Sequence, residues 1–133
     1  MIAGVADTHT AIWYLFDDAR LSATSAAYID AAAECGDGIA ISAISLAEIV
    51  YLVNKGRVPA NVYTAVKAAV GDPEHVFKVA AVTAEIVDAM QNVPRDEVPD
   101  MPDRLIAATA LYFGVPVISR DGNIRTSNVK SLW

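Results

Sequence analysis

At 133 residues, 54% hydrophobic and only 20% charged, the chain is expected to form one domain, residues 1–133, with a sizeable core; this composition excludes a disordered tail. Its net charge of −6, from ten basic and sixteen acidic side chains, disfavours nucleic-acid binding through a basic surface, unless several acids share divalent ions that invert the local field. No apolar run is long enough to span a membrane, Asp7 and His9 interrupt any signal-peptide pattern, and the single Cys35 suits a reducing cytoplasm.

Apolar runs of strand length alternate with helical periodicity, without repeats or low-complexity tracts. Residues 2–6 read as a buried strand and 9–16 as a short helix. Residues 22–35 read as a helix capped by Ser22 or Thr24 and closed before Gly36. Gly38–Ser42 is a second buried strand, followed by a helix over 45–54 and another over 60–70 after Pro59. Val76–Ala80 is a third strand, less apolar and nearer an edge. Helices over 83–92 and 103–113 flank the Pro-rich acidic segment Val93–Pro102. Gly114 ends the last long helix, Val115–Ser119 is a fourth buried strand, and residues 129–132 add a short fifth. The alternation predicts an α/β fold: a central parallel sheet of four to five strands, covered by helices on both faces.

In such sheets ligands bind beyond the carboxyl ends of the strands. Asp7 and Asp121 fall at that end of their strands, and Glu48 and Asp103 fall near helix starts aimed at it. Each has a simpler reading. Asp7 fits an N-cap before a helix. Ser45-Leu46-Ala47-Glu48 has the form of a capping box, Ser at N-cap and Glu at N3. Of Asp100 and Asp103, around Met101-Pro102, one is expected to cap the helix and complement its dipole. Asp121-Gly122 is an ordinary turn signal. His9 has no second His or Cys at zinc-ligand spacing and reads as a hydrogen-bonded partner.

The four acids together carry more weight than any one alone. Two carboxylates about 4 Å apart repel by roughly 4 kcal/mol at an effective dielectric near 20. Four of them would strain a domain with a total stability on the order of 10 kcal/mol. A cation relieves that repulsion, and an all-oxygen donor set selects a hard ion, Mg²⁺ or Mn²⁺.

Four blocks give the pattern a family resemblance: Val5-Ala6-Asp7-Thr8-His9; Ser42 to Ile49 around Glu48; Asp100-Met101-Pro102-Asp103-Arg104 through Ala110; and Val117-Ile118-Ser119-Arg120-Asp121. In order and spacing the chain resembles the PIN-domain ribonucleases, and within them the VapC toxins of toxin–antitoxin systems, over essentially its whole length. The resemblance implies a three-layer α/β fold and an acidic pocket holding one or two Mg²⁺ or Mn²⁺ on Asp7, Glu48, Asp103 and Asp121. It implies metal-dependent RNA hydrolysis leaving 5′-phosphate and 3′-hydroxyl ends. Ser119 stands where the family often carries Thr, and Thr8 is a candidate partner of Asp7. Asp100 divides between cap and outer-shell roles, and Arg104, Arg120 and Arg125 are candidate phosphate-steering cations.

As a toxin of this type the chain would pair with a VapB-like antitoxin and form a two-fold homodimer in the cytoplasm. The early apolar helices, Ile12-Trp13-Tyr14-Leu15-Phe16 and the Leu46–Val53 stripe, offer partner surface, although core burial accounts for most of them. An RNA-processing nuclease outside toxin–antitoxin systems is the alternative, followed by a catalytically inactive binding module. A phosphotransfer domain does not fit: the dehalogenase pattern needs an acid where His9 stands, and a receiver needs paired acids and a late Lys that are missing.

Overall fold

Strand β1 (Ile2–Ala6) occupies the middle of a five-stranded parallel sheet in a computed structural model that describes residues 1–133. The chain continues through α1 (Thr8–Leu15), α2 (Ala23–Glu34), β2 (Gly38–Ser42), α3 (Ala43–Asn54), α4 (Ala60–Gly71) and β3 (Phe77–Ala80). It returns through α5 (Ala84–Met90) and α6 (Met101–Phe113) to β4 (Val117–Ile118), α7 (Gly122–Arg125) and β5 (Ser131–Leu132). The strand order is β3-β2-β1-β4-β5, and every pairing is parallel. No helix is long and apolar enough to cross a membrane.

Side chains alternate across the sheet, as the two-residue period of a strand requires. Val5, Ala40, Ala80 and Val117 face one side, packed with Ile86 of α5, Ile106 of α6 and Ile124 of α7. Ala6, Ile39, Ile41, Phe77 and Ile118 face the other, packed with Ala11 of α1, Ile29 of α2 and Ala69 of α4. A third cluster joins α1, α3 and α4 through Ile12, Trp13, Ile49, Val62 and Val66. Each fully buried Ile or Val contributes roughly 1.5–3 kcal/mol from leaving water, so the two covered faces account for the three-layer arrangement. The expected partner surface divides accordingly: Ile12, Trp13 and Ile49 are core, while Phe16, Val50 and Tyr51 are exposed.

The chain winds outward from β1 to β2 and β3 on one side, then returns to β4 and β5 on the other. Between β1 and β4 the direction of winding reverses, and the connections leaving their carboxyl ends diverge into a crevice. Backbone bonds hold this seam: Val5 N–H donates to Pro116 O at 3.0 Å and Asp7 N–H to Ile118 O at 3.2 Å. Thr10 adds a side-chain bond, its hydroxyl donating to Ile118 O at 2.8 Å.

Several boundaries differ from the sequence expectation. Helix α3 starts at Ala43, because Ser42, the last residue of β2, is its N-cap and accepts from Ile44 N–H at 3.2 Å. There is thus no Ser45–Glu48 capping box: Ser45 lies inside the first turn and Glu48 in the second. Helix α6 starts at Met101 with Asp100 as its N-cap, and Pro102 sits in the first turn, where its missing N–H costs nothing. It ends at Gly114, in the left-handed region at φ 69°, which glycine adopts without a Cβ clash. The turn after Asp121 is a short helix, α7, capped by Asp121 itself.

Candidate functional site

Asp7, Glu48, Asp103 and Asp121 line one cleft of about 180 Å³ at the carboxyl ends of the strands, with Thr8, His9, Trp13 and Arg120 completing its wall. Asp7 follows β1 directly and caps α1, its Oδ1 accepting from Thr10 N–H at 2.9 Å. Its Oδ2 accepts from the hydroxyl of Ser119, a fully buried residue just beyond β4. The same Ser119 oxygen accepts from Asp121 N–H at 3.0 Å. Ser119 therefore ties the two strand-end acids together across the switch point. Asp121 spends Oδ1 on the amides of Asn123 (2.9 Å) and Ile124 (3.1 Å), which starts α7.

Capping and a role in the cleft are compatible: the Asp121 cap uses Oδ1 alone, and each Asp7 oxygen accepts one hydrogen bond and keeps a second lone pair. The capping expectation for Asp7 holds alongside its place in the cleft, and Asp121, expected only at a turn, is an N-cap as well. Asp100 is the cap of α6, its Oδ2 accepting from Asp103 N–H at 3.1 Å, and it is not part of the cleft wall.

Glu48 extends from the second turn of α3 and accepts from the Thr8 hydroxyl at 2.5 Å. Thr8 is thereby a partner of Glu48 rather than of Asp7. Burial raises the Glu48 pKa; the Thr8 bond opposes this, the charge of Asp100 adds to it, His9 lowers it and Asp7 raises it. Asp103 is the most strained acid of the set. Its carboxylate accepts no hydrogen bond, and burial pushes its pKa up to about 7, helped by the negative charges of Asp100, Asp121, Glu48 and Asp7. A half-buried carboxylate among four others, without a donor, is the kind of group a cation compensates.

The donor chemistry, all carboxylate and hydroxyl oxygen, suits a hard divalent ion. As the side chains stand, however, no three His, Cys, Asp or Glu groups are close enough together to enclose one. Mg²⁺ tolerates such an open cage, since it characteristically keeps several waters and takes only one or two carboxylates directly.

The basic candidates separate. Arg120 lines the cleft, its guanidinium 4.6 Å from the centre of the Trp13 ring. Arg104 does not: its Nη2 donates to the carbonyls of Met90 (3.1 Å) and Val93 (3.0 Å), tying α6 to the end of α5. Arg125 ends α7, where it complements the helix dipole, and lies outside the cleft wall. The His9 side chain, expected as a hydrogen-bonded partner, forms no hydrogen bond; its ring packs on Trp13 at 5.6 Å between centroids. The sequence pattern places Trp13 only as core or partner surface. Its spacing of four from His9 on α1, one helical turn, is the signal that places both on the same face.

The sequence matches the PIN domain family over residues 5–128. Among solved structures, the chain is similar to VapBC2 from Rickettsia felis bound to a DNA fragment from their promoter, at 18% identity and a TM-score of 0.69, covering 99% of this chain and 98% of that one. It is similar to a toxin–antitoxin complex from Klebsiella pneumoniae, at 20% identity and a TM-score of 0.66, covering 98% and 97%. FitAcB from Neisseria gonorrhoeae follows at 16% identity and a TM-score of 0.64, covering 98% and 96%. No curated protein matches the sequence. At these identities the solved structures speak for the fold, and the family match spans nearly the whole chain: it belongs to the PIN-domain family.

Proposed function

We propose that this PIN domain is a Mg²⁺- or Mn²⁺-dependent endoribonuclease acting as the toxin of a VapBC-type pair. The observation that carries the reading is the convergence of Asp7, Glu48, Asp103 and Asp121 on one cleft, where Asp103 is held near pKa 7 by burial and its acidic neighbours. That one solved relative is a toxin–antitoxin complex and another is VapBC2 supports a VapB-like antitoxin as partner, and the reading includes a cytoplasmic homodimer.

When bound, a divalent ion makes a water acidic enough to act as nucleophile at neutral pH and offsets charge gathering on the phosphoryl oxygens. Asp7, Glu48, Asp103 and Asp121 would hold it, some of them through water. Thr10 N–H and the Ser119 hydroxyl hold Asp7 through both oxygens and Thr8 holds Glu48 through Oε1, which fixes the two rotamers and leaves the second lone pairs of Asp7 and the Oε2 of Glu48 for an ion. Arg120, stacked on Trp13, offers a guanidinium fork to the non-bridging oxygens of the scissile phosphate. Attack of water on phosphorus with departure of the 3′-oxygen leaves 5′-phosphate and 3′-hydroxyl ends.

The test is cleavage of RNA by purified protein with Mg²⁺ or Mn²⁺, with chelator, and beside Asp7→Asn. Cleavage is expected only with metal and only in the wild type. Activity that survives chelation or the substitution overturns the mechanism.

A further inference from the structure

A second cleft, of about 360 Å³, opens beside the acidic one, and the two share His9 and Trp13 as a common wall. That volume lies within the range of small-ligand sites, about 300–1,000 Å³. Apolar side chains line part of it, among them Ile12, Phe16 and Val62, beside the cations Arg20 and Arg57 and the acid Asp18. The chain has six arginines and four lysines. Three of those arginines and no lysine line the two clefts: Arg120 in the first, Arg20 and Arg57 in the second. The acids divide unevenly: Asp7, Glu48, Asp103 and Asp121 face Arg120 in the first cleft, and Asp18 alone faces Arg20 and Arg57 in the second, which is therefore the more basic of the two.

Trp13 organises two of them. The Arg120 guanidinium lies 4.6 Å from its ring centre and that of Arg20 5.1 Å, so one indole carries a guanidinium from each cleft. Asp18 grips Arg20 through two hydrogen bonds, 3.0 and 2.7 Å, which fixes its fork and spends part of its charge. Arg57 has no carboxylate within salt-bridge distance and is the uncompensated cation of the cleft.

We propose that this second cleft holds the nucleotide next to the scissile phosphate in single-stranded RNA, with the base against the apolar lining and its phosphate on Arg57. The proposal rests on the ribonuclease reading above and deepens it. Apolar and aromatic surface beside an arginine is the platform that unpaired bases and their phosphates occupy, and a duplex would not release its bases to it. Because the clefts share the His9–Trp13 wall, a polyanion with a phosphate at every nucleotide is the kind of ligand that addresses both, with one phosphate beside the metal-holding acids and a neighbouring one at Arg57.

The experiment measures kcat and KM of the full chain with Mn²⁺ on a labelled single-stranded oligoribonucleotide, over a salt series, for the wild type, Arg57→Ala, Arg57→Glu and Arg57→Lys. Arg95→Ala removes a cation outside both clefts and serves as control. The expected result is a KM rise of about tenfold in Arg57→Ala, the worth of one charge-assisted contact, with a larger rise in Arg57→Glu and partial recovery in Arg57→Lys. The slope of log KM against log salt should shrink by about 0.7, one phosphate contact on a single strand. Arg95→Ala should match the wild type. If the wild type cleaves RNA and Arg57→Ala keeps its KM and salt slope, the subsite falls while the nuclease reading stands. If Arg57→Ala instead releases a bound partner protein and leaves KM for RNA unchanged, the cleft is a protein-docking site and the proposal is overturned. A wild type that cleaves no RNA with either metal overturns both.

Discussion

Ser119 donates its hydroxyl to Asp7 across 112 positions of sequence, joining the ends of two adjacent parallel strands. Its oxygen also accepts from Asp121 N–H, so one buried side chain sets the rotamer of one acid and the backbone of another. In Ser119→Ala, Asp7 loses a donor and Asp121 N–H loses its acceptor. The expected cost is about 1–3 kcal/mol of stability, because a polar group at a buried position is left unsatisfied. Ser119→Thr keeps the hydroxyl and should hold most of both stability and activity. Urea denaturation of the three proteins, beside RNA cleavage, checks this; an alanine variant with full stability and full activity would show that the hydroxyl positions nothing.

Asp103 makes the metal-free protein sensitive to pH in a definite direction. Its folded pKa of about 7 stands above the ordinary carboxylate value of 3.8, so the fold binds the proton more tightly than the unfolded chain does. The stability this contributes is fully present below about pH 4 and is lost as pH rises through 7. Asp103→Asn carries no such charge. With chelator, its melting temperature should match the wild type near pH 4 and exceed it at pH 8, despite losing a first-turn acid worth a few tenths of a kcal/mol. Adding Mg²⁺ at pH 8 should reverse the order, since a ligand at 100 times its dissociation constant stabilises the native state by about 2.7 kcal/mol and the asparagine variant binds it poorly. Thermal melts at the two pH values, with and without metal, read both effects.

Arg104 separates stability from function. Its guanidinium satisfies two main-chain carbonyls at the end of α5, and its Nε is buried without a partner. Arg104→Ala should lower stability by about 1–3 kcal/mol through the stranded carbonyls. Arg104→Lys should recover little, because one ammonium cannot reproduce the fork. Below the lowered melting temperature, the stabilisation by Mg²⁺ and the KM for RNA should both stay at wild-type values. A raised KM would return Arg104 to the substrate site.

Most of the fold was legible because long periodic segments have no competing reading. The order of strands and helices, the edge position of β3 and the Ser22 cap of α2 all follow from pattern. What escaped was short or degenerate. Helix α7 has four residues, too few to show a period, so Asp121-Gly122 read as a plain turn. The start of α3 was ambiguous because Ser42 and Ser45 offer the same chemistry three residues apart, and only the structure shows the strand passing directly into the helix at Ser42. Adjacency to Asp103 links Arg104 to the site in the sequence, yet successive helical residues point about 100° apart, and the Arg104 side chain turns instead to the carbonyls of Met90 and Val93. The four acids were legible because strand ends and helix starts converge at a switch point whatever the loops do. Trp13 was not, because an indole in an apolar run carries no mark of the two guanidiniums that will reach it from distant segments.

Thr8 offers the sharpest electrostatic handle on the site. It is almost fully buried, and its hydroxyl donates to Glu48, which burial otherwise makes harder to ionise. Thr8→Val keeps the shape and removes the donor, so the ionised form of Glu48 loses a stabilising bond and its pKa moves further up. Metal binding requires the carboxylate, so the acidic limb of the pH–rate profile for RNA cleavage should shift to higher pH. At saturating metal and high pH the variant should approach the wild-type rate, because the carboxylate is then ionised in both. Thr8→Ser, which restores the hydroxyl, should bring the limb back. A Thr8→Val profile that superimposes on the wild type would mean that Glu48 does not govern the acidic limb, and would move that role to Asp103, whose pKa lies about where such a limb would fall.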